Sequence, residues 1–337
     1  MRAFPLTKAP TLAGYVSVLR QIGAPVDAGL RRARLPTLFE EFPDSWMSYE
    51  RLRIFTADMA RREGIPDLGL IPQAADMQQS LSRSFREPVL SAPTLFRALQ
   101  RIPSLTSRQT TDIRFWVEPA GDQVRVCLVL PLPLDVPGYS IGETRTLGLI
   151  ANIIGAFVGS SFAPTRVLLA SRAGDLHFDL SAAFGGVPVH TDQPYGAIEF
   201  PRTLLSSARP AARDHLGHPG STPPANPPAE TLACALQACL APYLLEGYPS
   251  VDLAAEITGL SVRTLQRRLR EEGESYTGLI DKVRCEAALS SLRDESLSLR
   301  ETGQRLGYSD QAAFTRAFQR WTGTTPGEYR ARTHTSE

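Results

Sequence analysis

The chain of 337 residues contains only four cysteines, Cys127, Cys234, Cys239 and Cys285. A disulfide framework needs a denser set at short spacings, so these are expected to be free thiols in a reducing compartment. Cys234 and Cys239 stand five apart and would leave a helix on different sides. No apolar run reaches the roughly 18 residues of a membrane span. The longest, Leu147 to Phe157, is interrupted by Gly148, Asn152 and Gly155 and reads as a core helix. The opening Met1-Arg2-Ala3-Phe4-Pro5 lacks the apolar core and small-residue cleavage site of an export signal. A cytoplasmic location and no membrane partner are expected.

An excess of one charge is missing too. The net charge is +1, and from Glu230 onward 13 Lys+Arg face 15 Asp+Glu, a balance of −2. A grip on a polyanion would have to come from local clustering of arginines rather than from overall charge. His177, His190, His215 and His218 form no nucleophile–base constellation, and no phosphate loop, nucleophile elbow or metal-binding helix can be found. An enzyme is therefore not expected, nor any cofactor or metal.

At this length two domains are the prior. The clearest boundary is Gly217 to Ala229, GHPGSTPPANPPA, where prolines remove amide donors and no apolar periodicity continues. The division expected is one domain over 1–210, a Pro-rich linker over 211–229, and a separate domain over 230–337. Upstream, helical spacing of apolar residues marks Thr11 to Gly23, Tyr49 to Arg62 and Thr94 to Arg101. Asp112 to Glu118 and Gln123 to Leu130 alternate around Pro119-Ala120-Gly121-Asp122, a hairpin signature. Glu143 to Phe157 returns to helix, and Arg166 to Ala170 and Ala197 to Phe200 read as further strands. The fold class expected is an α+β N-terminal domain followed by an all-α domain.

The all-α part carries the strongest pattern. Glu230 to Leu245 is an amphipathic helix. Val251, Leu253, Ala254 and Ile257 then face one side of a short helix that ends at Thr258-Gly259-Leu260. Gly259 supplies a left-handed backbone at no steric cost, and Ser261 is a natural N-cap for the next helix. That helix turns Leu265 and Leu269 inward and presents Arg263, Thr264, Gln266, Arg267, Arg268 and Arg270. A helix fits the major groove, where arginine pairs with guanine and glutamine with adenine edges. Helix, tight glycine turn and capped basic helix are what a recognition unit requires; a solvated charged face is the alternative. A second unit follows: Ser298 to Leu306, the turn Gly307-Tyr308-Ser309-Asp310, and a helix from Gln311 to Gly323. In that helix Ala313, Phe314, Ala317, Phe318 and Trp321 form the apolar stripe, and Gln311, Thr315, Arg316, Gln319 and Arg320 remain available. Tyr276 to Leu292 reads as one long helix, a spacer that would hold two recognition helices about one DNA turn, roughly 34 Å, apart.

These residues resemble the AraC/XylS transcription regulators. GYSDQAAFTRAFQRWTGTTPGEYR, Gly307 to Arg330, fits that family's second unit almost throughout, and LSVRTLQRRLREEG, Leu260 to Gly273, is similar to its first. Upstream, Phe184 to Ser206 (FGGVPVHTDQPYGAIEFPRTLLS) and AGYVSVLRQIGAPVDAGLRRARLP, Ala13 to Pro36, resemble the subgroup with an ornithine-regulator-like, arabinose-binding type domain. The resemblance implies a sequence-specific regulator of promoter DNA, an activator that meets RNA polymerase, answers a small-molecule effector and works as a homodimer. It places base contacts on Arg263, Gln266 and Arg267 and on Gln311, Ala312, Thr315 and Arg316. Ala312 departs from the polar residue of some members, which implies apolar reading, as of a thymine methyl. Gly303 stands where alanine is common, and a mid-helix glycine costs about 0.5–1 kcal/mol.

Two rival readings remain. One is an enzyme joined to a DNA-binding module, for instance a cysteine-based alkyl acceptor; the only upstream cysteine is Cys127, mid-strand. The other is a constitutive regulator whose N-terminal half only dimerises. For an effector, Arg97 and Arg101 at i, i+4 form a pair able to clamp an anion. Phe115, Trp116 and Tyr139 are candidate pocket walls, with core packing as their alternative. Leu147, Ile150, Ile154 and Phe157 share one helix side that serves either a dimer interface or the core.

Overall fold

The computed structural model describes residues 4–70, 81–176, 178–209, 231–247, 249–293 and 297–334. The expected linker 211–229 lies outside them, as do His177, His215 and His218. In chain order the first half contains β1 (Leu6–Lys8), α1 (Ala9–Gln21), α2 (Val26–Arg32), β2 (Trp46–Ser48), α3 (Tyr49–Glu63), α4 (Arg83–Leu90) and α5 (Leu95–Thr106). It continues with β3 (Arg114–Ala120), β4 (Gln123–Val129), α6 (Tyr139–Val158), β5 (Arg166–Leu168), α7 (Leu180–Ala183), β6 (Val189–His190) and β7 (Gly196–Pro201). The second half is helical: α8 (Leu232–Leu240), α9 (Val251–Thr258), α10 (Val262–Glu271), α11 (Tyr276–Ser291), α12 (Leu299–Arg305), α13 (Gln311–Thr322) and α14 (Pro326–His334).

Contacts divide the chain into two units, one of Pro5–Leu35 with the described residues between Tyr49 and 209. The other joins Phe4 and Pro36–Ser48 to the described residues after Pro228. Residues 36–48 thus group with the C-terminal helices, although they fall within the stretch 1–210 that composition marks as one domain.

The first unit is built on a five-stranded sheet of order β3-β4-β7-β5-β6. The expected hairpin forms with Arg114 opposite Val129 and Ala120 opposite Gln123. Gly121, with φ +69°, makes the reversal that a side chain would strain. Alternation sorts β4 into an inner face of Val124, Val126 and Leu128 and an outer face that carries Arg125 and Cys127. On the outer face Arg125 bridges Glu199 at 2.5 Å and Glu118 at 3.0 Å. On the inner face lies α6, with Leu147, Ile150, Ile154 and Phe157 at most 4% exposed. Those four residues are core, so they are not available as a dimer interface. The helix is long and apolar enough to pass for a membrane span, but most of it is buried within this unit.

Two positions near the start of α6 make close contacts with neighbouring elements. Glu143, fully buried, accepts from the amides of Ala170 (2.8 Å) and Ser171 (2.9 Å) and from the Ser171 hydroxyl (2.5 Å), tying the helix to the end of β5. Burial pushes its carboxyl above the ordinary range, against these hydrogen bonds. Gly142, one residue earlier, has no Cβ; one built there would lie 2.3 Å from Arg53 Nη1. The helix expected at Thr94 to Arg101 extends to Thr106 through Pro103, because Ile102 and Leu105 continue the buried stripe.

In the second unit the stretch expected as one helix, Glu230 to Leu245, is α8 followed by a 3-10 turn over Ala241–Glu246. Pro242 removes an amide donor at the junction. Leu236, Leu240, Leu265, Leu269, Phe314 and Phe318 meet in one core. Trp46 and Met47 of β2 are buried as well, at 5% and 1% exposed. The last helix, α14, was not legible from periodicity; Thr325 and Glu328 cap it reciprocally, Glu328 Oε2 accepting from the Thr325 amide at 2.9 Å.

Candidate nucleic-acid interface

Both expected helix-turn-helix units form, and local chemistry explains their turns. Ser250 caps α9 by accepting from Leu253 N at 3.1 Å, and Gly259 ends it in the left-handed region at φ +67°. Ser261 then caps α10, its hydroxyl accepting from Thr264 N at 3.2 Å. Leu265 and Leu269 are fully buried and fix the rotation of α10. That rotation leaves Arg263, Gln266, Arg267 and Arg270 exposed on one continuous surface. Thr264 is half-buried, and its hydroxyl lies 2.9 Å from Ser261 Oγ, so it serves the cap. Arg267 Nη1 donates to Glu271 Oε1 at 2.6 Å across one helical turn, with both side chains more than half exposed. Just beyond α10, Glu272 accepts from Leu232 N at 3.0 Å and Ala233 N at 2.9 Å. A carboxylate there satisfies donors that the first turn of α8 leaves open and complements its dipole.

The second unit repeats the design with different residues. Ser298 and Glu301 form a capping box at the start of α12. The hydrogen bonds from Ser298 hold the Glu301 carboxyl below the usual carboxylate range. Asp310 caps α13, accepting from Ala313 N at 2.7 Å, and that bond lowers its carboxyl likewise. Phe314 and Phe318 are fully buried and Tyr308 tilts against Phe314 at 5.8 Å between ring centres. Gln311, Ala312 and Arg316 stand exposed. Thr315 is half-buried and donates its hydroxyl to Gln311 O at 2.9 Å; Arg320 donates to Asp281 of α11 at 3.1 Å. Thr264, Arg267, Thr315 and Arg320 are therefore engaged within the unit, whereas Arg263, Gln266, Arg270, Gln311, Ala312 and Arg316 stand exposed on the two helices. Gly303 has a packing reason: a Cβ there would meet Phe314 Cβ at 3.1 Å, so α12 and α13 approach more closely than alanine permits.

The effector candidates of the first unit scatter. Phe115 lines a cavity of about 90 Å³ bounded by α1, α3, α5 and α6. Arg97 and Arg101 lie on the exposed side of α5, donating to Gln100 Oε1 (2.9 Å) and Pro88 O (2.5 Å) rather than facing that cavity. Trp116 points to the other sheet face, edge-on to Tyr195 and donating to Glu118 at 3.0 Å. Tyr139 is core, and burial pushes its hydroxyl above the ordinary range. Residues that the sequence reading passed over, Tyr15, Tyr49, Arg53 and Arg145, share the cavity wall with Phe115. The available signal was Tyr49 and Arg53 at i, i+4 on the apolar side of α3, beside Leu52 and Thr56. The alkyl-acceptor reading fares poorly as well. Cys127 is fully buried, and burial, then the nearby Glu118, push its thiol up to about 12, which suppresses the nucleophilic thiolate.

Comparison with known proteins agrees with this geometry. A helix-turn-helix domain model matches residues 254–332. Over 87 residues the chain is 39% identical to the HTH-type transcriptional regulator VqsM of Pseudomonas aeruginosa, a match covering 26% of this chain and 27% of that one. Longer matches run to VirS of Mycobacterium tuberculosis, 28% identical over 97% of this chain and 96% of VirS. The ornithine utilization regulator of Pseudomonas aeruginosa is 27% identical over 94% of this chain and 93% of its own. The model of the N-terminal arabinose-binding domain of AraC transcription regulators matches residues 23–208, more than half of the chain. The chain belongs to the AraC-type transcription regulators, with a helix-turn-helix DNA-binding domain after an arabinose-binding-type domain.

Proposed function

We propose that this regulator reads promoter DNA with α10 and α13, responds to a small molecule held by its first unit, and activates transcription as a homodimer that meets RNA polymerase. The observation that carries the reading is the surface of α10, where buried Leu265 and Leu269 hold Arg263, Gln266, Arg267 and Arg270 outward. Arg263, Gln266 and Arg267 are assigned to base edges, since fork and amide side chains read purines in the major groove. Arg270, further along the helix, suits a phosphate. On α13 the assigned base contacts are Gln311, Ala312, Thr315 and Arg316, with Arg320 released from Asp281 to a phosphate when DNA is bound. The net charge of −2 over the C-terminal segment makes this local display, rather than a diffuse basic field, the source of affinity. The cavity of the first unit is where a small-molecule effector fits.

The test is selection of duplexes from a random pool by the full chain, followed by footprinting and a reporter fused to the selected site. A defined footprint with reporter output that rises with the regulator supports the reading. Retention of every duplex alike at physiological salt overturns specificity. A fixed output with every metabolite tried favours a constitutive regulator.

A further inference from the structure

The cavity of the first unit has a polar end whose chemistry is specific. Arg53, on α3, is 1% exposed, so its guanidinium, which does not lose its proton in proteins, is held out of water. Its Nη1 donates to the Tyr15 hydroxyl at 3.0 Å. Its plane lies over the rings of Tyr15 (5.2 Å) and Tyr49 (5.0 Å). Aromatic faces offset part of the desolvation of a buried cation but do not neutralise it. Among the described residues the side-chain hydrogen bond of Arg53 goes to Tyr15 and not to a carboxylate, and its Nε–H has no acceptor. The nearest buried acid in sequence on the neighbouring helix, Glu143, is occupied by Ala170 and Ser171. A second guanidinium, that of Arg145 on α6, stands 4.2 Å from the Tyr15 ring centre and lines the same cavity. The buried Arg53 guanidinium at this end of the cavity is left with an electrostatic deficit that one ligand anion would fill.

Most of the remaining wall is apolar, with Thr11, Thr106, Gln109, Thr110 and Thr146 as its polar members. Leu81, Phe85, Ile102, Phe115, Ile150 and Ile153 close it with hydrocarbon. At about 90 Å³ the space is several times the roughly 10–15 Å³ that a single water occupies by the same measure. Gly142 belongs to the design: a Cβ at that point would fall 2.3 Å from Arg53 Nη1, so the bare helix surface is what seats the guanidinium.

From this geometry we infer that the effector is a small organic monocarboxylate with an apolar body, its carboxylate received by Arg53 beside Arg145 and its hydrocarbon by the α5–α6 wall. The inference rests on the proposal that the first unit binds an effector, and it narrows that proposal to a chemical class. A sugar such as arabinose is a poor match, because its many hydroxyls would lose their hydrogen bonds against the apolar wall. The two classes separate experimentally.

The experiment uses the full chain, its thermal melt and its calorimetric titration, with hexanoate and phenylacetate as probes. Their neutral partners hexanamide and phenylacetamide, and arabinose, are run beside them. The acids are expected to raise the melting temperature and to bind about tenfold or more tighter than the amides, the range of a charge-assisted hydrogen bond. Arg53→Met should remove that preference. Arg53→Lys, which keeps the charge and loses the fork, should weaken binding of the acids without abolishing it; it also covers the case in which Arg53→Met does not fold. Acids and amides binding equally, or Arg53→Lys binding hexanoate and phenylacetate undiminished, overturns the inference. Binding of arabinose alone overturns the carboxylate class and leaves the effector reading intact. Absence of binding by all five at millimolar concentration overturns the carboxylate class, and operator binding by the same sample leaves the DNA-binding reading standing.

Discussion

Thr37 and Glu246, separated by more than two hundred residues, are joined by a cluster of hydrogen bonds on one carboxylate oxygen. Glu246 Oε1 accepts from Thr37 Oγ1 at 2.7 Å, from Leu38 N at 3.2 Å and from Thr37 N. The segment Pro36–Ser48 is thereby held to the C-terminal helices at the end of the 3-10 turn that follows α8. Glu246→Ala removes three acceptor contacts from an exposed site, a loss of about 1 kcal/mol for hydrogen bonds to a charged group open to solvent. The amides of Thr37 and Leu38 are expected to exchange with deuterium several-fold faster in the variant, while Leu265 and Leu269 in the core of the same unit stay protected. Unchanged exchange at Thr37 would contradict the role assigned to Glu246.

This contact also marks where sequence reading stops. Caps and turns are local, so Ser261, Gly259 and the two recognition helices were legible from spacing alone. So were the hairpin around Gly121 and the course of α6. The placement of residues 36–48 comes from long-range contacts, the burial of Phe39, Trp46 and Met47 together with the Thr37–Glu246 bonds, which no periodicity encodes. The same holds for the cavity: Arg53 was hidden inside an apolar helix pattern, whereas Arg97 and Arg101 stood out by their i, i+4 spacing although both lie on the solvated side of α5.

Arg267 and Glu271 make an exposed i, i+4 ion pair, a type worth only a few tenths of a kcal/mol. DNA can therefore take Arg267 from Glu271 at little cost. Arg267→Ala should lose about 1–3 kcal/mol on a selected duplex and relax preference at one base pair. Glu271→Ala should instead tighten binding to all duplexes alike, by removing a negative charge beside the phosphates. Competition titrations with selected and scrambled duplexes measure both, and a uniform loss for Arg267→Ala would assign that arginine to phosphate.

Gly303→Ala sets helix propensity against packing. Alanine gains about 0.5–1 kcal/mol in a helix interior. Its Cβ, 3.1 Å from Phe314 Cβ, must displace a fully buried ring that Tyr308 and Phe318 hold on two sides. Overpacking of this kind costs about 1–3 kcal/mol, so a net loss of roughly 1 kcal/mol is expected. A melt of the variant should show a lower transition; a higher one would mean that α12 and α13 can separate without cost.

Cys127 should behave as an inert core thiol. With its thiol pushed up to about 12, almost none is ionised at neutral pH, and Trp116, Leu168, Tyr195 and Ala197 pack around it. In the folded protein an aromatic disulfide reagent should leave Cys127 and the equally buried Cys239 unmodified, both becoming reactive only in denaturant. Rapid labelling of Cys127 in the native state would revive the alkyl-acceptor reading.

The most direct test of the account is a comparison of specific and scrambled duplex affinity for the full chain at physiological salt, with Arg267→Ala and Arg316→Ala beside it. The selected duplex should bind at least about a thousandfold more tightly than the scrambled one. Each substitution should erode that ratio by about tenfold or more while leaving scrambled binding within a few-fold. A ratio near one, or two variants that keep the full ratio, would contradict the assignment of α10 and α13 as the reading helices.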